Sequence, residues 1–133
     1  MVDKPREEAP GLLVVEDDRD TQLYMGAFLG KRFRVYYAAS GEEARRQLAK
    51  YGKEIRMILM DLSLRGEEDG LTLTRWIRTT PQWQQIPVIA TTAHAFLRDE
   101  HAALDAGCDV YMAKPLHQRR LLESIDGLLA RKS

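Results

Sequence analysis

One cysteine in 133 residues leaves this chain without an internal disulfide, so its stability must come from a packed core. Cys108 lies in "AGCDVY" without an evident histidine partner. That context points to a small packed side chain in a reducing cytoplasm rather than a nucleophile. No apolar run approaches the ~18 residues of a membrane span, and the first ten residues, MVDKPREEAP, lack the apolar centre of a signal peptide. An excess of one charge is also missing: twenty basic residues balance twenty acidic ones. Nothing therefore calls for nucleic acid or an anionic membrane as a partner. What is present is 44% apolar and 30% charged residues in a length suited to one domain.

Residues 1–10, charged and carrying two prolines, read as a flexible leader, and 11–133 as one domain. Within that domain short apolar runs alternate with amphipathic segments. "GLLVVE" (11–16), "FRVYYA" (33–38), "IRMILM" (55–60), "PVIATT" (87–92) and "DVYMA" (109–113) read as strands. Between and after them lie five helical stretches. In the first, Arg19 to Gly30, Leu23 with Ala27 and Tyr24 with Phe28 offer apolar pairs four apart. In the second, Ser40 and Glu43 form a capping-box signature. The third runs from Gly70 and is stopped by Pro81. The fourth, about Phe96 to Ala106, is stopped by Gly107. Leu121, Leu122, Ile125, Leu128 and Leu129 mark the inner face of the fifth. Five successive β-α units argue for a parallel sheet covered by helices on both faces, its strands apolar throughout because both faces are buried. No internal repeat or low-complexity tract interrupts them.

In an open parallel sheet, ligands bind beyond the carboxyl ends of the strands. There the sequence places Glu16-Asp17-Asp18 after strand one, Asp61 after strand three, Thr91-Thr92 at the end of strand four and Lys114-Pro115 after strand five. Any one of these has an ordinary explanation. Asp61 could be a turn former, and Asp18 suits a helix cap. Together they bring acids, a hydroxyl and an ammonium to one edge. Clustered carboxylates repel one another unless a cation joins them, and Mg²⁺ is the hard, oxygen-seeking ion that needs few of them. A carboxylate can itself attack phosphorus, and the transfer then requires mainly positioning and charge neutralisation.

The motifs "LLVVEDD", "ILMDLSL", "VIATTAHA" and "YMAKPL" resemble the acid pair, phosphoacceptor, hydroxyl and lysine-proline motifs of response-regulator receiver domains. The resemblance covers nearly the whole chain after the leader. It implies a CheY-like, flavodoxin-like (βα)5 three-layer α/β sandwich with sheet order 2-1-3-4-5. It further implies phosphorylation of Asp61 by a histidine kinase or a histidine phosphotransfer protein. Mg²⁺ would be held by Asp17 and Asp61, by Glu16 through water and by the backbone carbonyl of Ser63. Thr92 is similar to the switch hydroxyl, Lys114 to the phosphoryl-binding lysine and Tyr111 to the switch aromatic. Output would pass to a protein target through the face of helix four, strand five and helix five. The expected setting is cytoplasmic, with a monomer or weak homodimer, no direct contact with nucleic acid and no membrane.

The chain departs from the family pattern after Asp61. Arg65 stands where receivers commonly have proline, and "RGEEDG" is about one residue longer than usual, adding Glu67, Glu68 and Asp69 near the site. Ser63 and His94 are expected at the rim, adjusting phosphoryl lifetime. His101 and His117 read as exposed helix residues, and Trp76 and Trp83 as packing residues. With no effector segment after the last helix, a single-domain regulator is expected; a receiver excised from a hybrid kinase or larger regulator is the alternative. A Mg²⁺-dependent aspartyl phosphohydrolase fits less well, because such enzymes usually carry a second acid where this chain has Ser63. A flavodoxin-like cofactor binder lacks its phosphate loop after strand one.

Overall fold

The computed structural model describes residues 9–64, 68–93 and 97–132. Along the chain run β1 (Gly11–Val15), α1 (Arg19–Leu29), β2 (Arg34–Ala38), α2 (Gly41–Tyr51), β3 (Ile55–Asp61), α3 (Gly70–Thr79), β4 (Val88–Thr92), α4 (Leu97–Ala106), β5 (Val110–Ala113) and α5 (Gln118–Lys132). All five strands are parallel, in the order β2-β1-β3-β4-β5. This is the flavodoxin-like α/β sandwich expected from the sequence.

Local chemistry explains where the helices begin and end. Asp18, Ser40 and Asp69 each take the N-cap position, and their side chains accept from the backbone N–H of Thr21, Glu43 and Thr72. Glu43 differs from a simple capping box, since it reaches past Ser40 to accept from Ala39 N–H at 2.8 Å. At the end of α4, Gly107 adopts φ 111°, a left-handed turn that suits glycine. There Gly107 N–H donates to Leu104 O and Cys108 N–H to Ala103 O, both at 3.0 Å, closing a Schellman motif.

Alternation along β3 divides the core. Ile58 and Met60 face one layer with Ala44, Leu48, Leu73, Ile77 and Ala103 of α2, α3 and α4. Met57 and Leu59 face the other, with Met25 and Leu29 of α1 and Leu121, Ile125 and Leu128 of α5. The central strands are buried on both faces, as expected. The edge strands are not: β2 is only half-buried over Arg34–Tyr37, and β5 buries Met112 alone.

The stripe expected on α1 is corrected. Leu23 is 60% and Tyr24 47% exposed, Ala27 is exposed as well, and the buried pair is Met25 and Leu29. This helix carries several apolar i, i+4 pairs, so spacing alone does not choose among them. Contact with the sheet decides, because Gly26 lies where a side chain would strike the Tyr37 hydroxyl. Trp76 and Trp83 pack against the core as expected. His101 is exposed on α4, whereas His117, also exposed, precedes α5. Among the described residues, no helix is long and apolar enough to cross a membrane. The expected leader lies largely in residues 1–8, and Arg65, Glu67, His94 and Phe96 also lie outside the described residues.

Candidate functional site

Parallel register places the candidate groups on one edge. Asp61, the last residue of β3, pairs in register with Thr91 of β4, and Thr92 pairs with Ala113 at the end of β5. Lys114 follows at once, its N–H donating to Thr92 O at 2.7 Å, and the Lys114–Pro115 peptide bond is cis. The acid that seemed to stand at the strand's mouth is therefore inside the strand, 3% exposed, and held over the edge of the sheet.

Glu16, Asp17 and Asp61 each bring a carboxylate oxygen to within 4.8 Å of the others. Lys114 reaches the same point, its Nζ donating to Glu16 Oε1 at 2.6 Å and to Asp61 Oδ2 at 3.4 Å. Glu16 is 1% exposed. That burial drives its pKa above the ordinary carboxylate value, while its hydrogen bond with Lys114 works in the opposite direction. Burial would by itself lower the pKa of Lys114, but its contacts with Glu16 and Asp61 prevail and hold the ammonium firmly protonated. Lys114 pairs with two of the three carboxylates, Glu16 and Asp61, and the cluster presents oxygen donors from all three acids. Such a donor set fits Mg²⁺, which prefers oxygen ligands and keeps several of its waters.

The backbone around the acids is fixed by bonds that no sequence pattern announced. Asp18 N–H donates to Glu16 Oε2 at 3.1 Å, and Gln22 Nε2 donates to Glu16 O at 2.6 Å from the first turn of α1. Ser63 is exposed, and its N–H donates to Asp61 Oδ1 at 2.9 Å, orienting the carboxylate. Gly70 presses on the backbone of Asp61, where a Cβ would collide with the Asp61 carbonyl oxygen. Thr92 is buried beside a small cavity of about 140 Å³ lined by Leu62, Ser63, Leu71, Asp99 and Ala102. Thr91 packs in the sheet, with its hydroxyl directed at Met60 O. Tyr111 is half-buried against the core. Two of the loop acids are engaged away from the cluster: Asp69 caps α3 and Glu68 pairs with Arg45.

Residues 12–126 match the response regulator receiver domain family. The chain belongs to that family. Receivers are signalling modules of two-component systems, and this receiver has relatives of two lengths. It is 35% identical over 125 residues to the polar-differentiation response regulator DivK of Brucella anthropi, covering 89% of this chain and 94% of DivK. It is 32% identical over 121 residues to the transcriptional regulatory protein GltR of Pseudomonas aeruginosa, covering 90% of this chain but only 49% of GltR. The chain thus spans about half the length of some curated relatives it matches. Among solved structures, the BeF3-activated N-terminal receiver domain of Klebsiella pneumoniae RstA is 28% identical, with a TM-score of 0.79 over 90% of this chain and 97% of that one. The signal receiver domain of a histidine kinase from Syntrophus aciditrophicus is also 28% identical, with a TM-score of 0.82 over 92% and 91%.

Proposed function

We propose that this receiver, taken as residues 11–133, is a phosphorylation switch whose acceptor is Asp61. The single observation that carries the reading is the reach of Lys114 to both Glu16 and Asp61 across three loops. A carboxylate oxygen of Asp61 attacks phosphorus of a phosphohistidine on a kinase or phosphotransfer protein. A new O–P bond forms, the P–N bond breaks, and the departing imidazole takes up a proton. Mg²⁺, held by Glu16, Asp17, Asp61 and the Ser63 carbonyl, would neutralise charge on the transferred group. Lys114 is already charged and supplies a second cation without reorganisation. Ser63 N–H holds one Asp61 oxygen, leaving the other toward the ammonium.

Thr92, beside its small cavity, is the hydroxyl that would follow the phosphoryl group, with Tyr111 moving in response. α4 suits a movable output element, because among its described side chains, Asp99 to Ala106, the buried ones are the small Ala103 and Ala106. Small buried surface means weak anchorage and low cost of displacement. The output face of α4, β5 and α5 would then engage a protein target. The exposed Tyr24 lies on another flank, at a cavity that it lines together with Met25, Lys114 and Pro115. A phosphodonor protein would cover that flank.

Incubation with acetyl phosphate and Mg²⁺, read by intact mass, tests the acceptor. The wild type should gain the mass of one HPO3 unit and Asp61→Asn none, with the gain abolished by chelating the metal. Equal gain in both proteins would move the acceptor elsewhere, and no gain in the wild type would leave a scaffold used only for binding.

A further inference from the structure

Just before α3, the Glu68 carboxylate sits in a three-sided seat against α2. Arg45, one turn into α2, donates to Glu68 through Nε at 3.3 Å and through Nη2, a two-point fork. The Arg45 guanidinium lies 4.3 Å over the ring of Trp76 from α3. Gly41, at the start of α2, completes the seat, since a Cβ there would strike Glu68 Oε1. The pair is not a solvated surface contact: the side chains are 38% and 21% exposed. Stacking and the fork together fix the guanidinium in a way a lysine would not.

What the seat holds is close to the chemistry. Glu68 is two residues before Gly70, and Gly70 abuts the carbonyl of Asp61. Ser63, two residues after Asp61, bonds the Asp61 carboxylate. We infer that Arg45 and Glu68 are positioning residues for the Asp61 site, fixing Glu68 to Gly70 and with them the first turn of α3 against the backbone of the acceptor. The inference rests on Asp61 being that acceptor.

The test uses the full chain as wild type, Arg45→Ala, Glu68→Gln and the double variant. For each, Mg²⁺ affinity and the rate of phosphorylation from acetyl phosphate are measured, with urea midpoints confirming folding. Each single variant should bind Mg²⁺ about fivefold more weakly, and the double should be no worse than the weaker single, because the two residues act through one contact. In metal-free protein, amide exchange should quicken over Leu71–Leu73 while that of β1 and β3 is unchanged. That localised signature is one a general loss of stability would not produce. Unchanged Mg²⁺ affinity in both singles, or additive losses in the double, overturns the inference while the acceptor reading stands. Tighter Mg²⁺ binding in Arg45→Ala, as a released carboxylate joining the cluster would give, overturns it as well. Failure of the wild type itself to bind Mg²⁺ and gain phosphate overturns both.

Discussion

Cys108 shows how a single side chain is decided by its surroundings. It is 5% exposed, packed between sheet and α3, with its Sγ 3.8 Å from the Thr74 hydroxyl. Burial pushes its thiol above the ordinary value of about 9, with Thr74 and Arg78 pulling weakly the other way. A thiolate is thus disfavoured in the folded state. Stability from this group is complete below the unfolded pKa and is lost as pH rises through the folded one. The native protein should therefore react with a thiol reagent at pH 8 at least about tenfold more slowly than the urea-unfolded chain, and lose stability above about pH 9. Comparable rates in the two states would show that the thiol is accessible. The sequence reading of Cys108 as a packed residue was available from its isolation alone. Gln22 and Glu68 were not legible in that way. Gln22 matters through a side-chain bond to a carbonyl six residues back, and Glu68 through a helix 23 residues away in sequence.

Between elements, Arg78 is the clearest cross-brace. From the last turn of α3 it donates to Gly107 O at 2.8 Å, Ile86 O at 2.7 Å and Asp109 Oδ2 at 2.9 Å, joining the loops that flank β4. Asp109 Oδ2 in turn accepts from Val88 N–H at 2.8 Å. Arg78→Ala takes a donor from three carbonyls, Gln84 O at 3.2 Å being the third, and from the Asp109 carboxylate, and should cost about 2–3 kcal/mol. A urea titration measures it, and a change below about 0.5 kcal/mol would mean that water replaces the guanidinium without penalty. Arg78→Lys should recover only part of the loss, because one ammonium cannot serve four diverging acceptors. The elements themselves were largely legible, since the caps Asp18 and Ser40 and the stop at Gly107 are local signals. Less legible was the phase of α1, where Leu23 and Met25 are equally apolar and only the approach to Tyr37 selects between them. Asp61 fell one residue outside the strand as read because polarity marks a strand end in sequence. In the fold, its register with Thr91 keeps it within β3.

At the scale of the molecule, three carboxylates from two strand ends come together, two of them paired with the Lys114 ammonium. Folding gathers those charges, so the metal-free fold bears a repulsion that the unfolded chain, with its acids apart, does not. The strand-end pattern made this gathering visible in the sequence, because parallel order alone brings the ends of β1, β3, β4 and β5 to one edge. What it could not show was that Lys114 would lie nearer Glu16 than Asp61. A divalent ion that binds only the folded state must then raise the stability of the whole domain by linkage. At a Mg²⁺ concentration about ten times its Kd the gain is about 1.4 kcal/mol. For a domain of this size that amounts to a rise in Tm of about 4–6 °C. Asp17→Asn removes one of the three acids, so its Tm should respond little to the same Mg²⁺ concentration. NaCl at matched ionic strength separates site binding from general screening, since screening would raise both proteins alike. An equal rise in wild type and Asp17→Asn with Mg²⁺ would mean that the acids do not hold a cation at all.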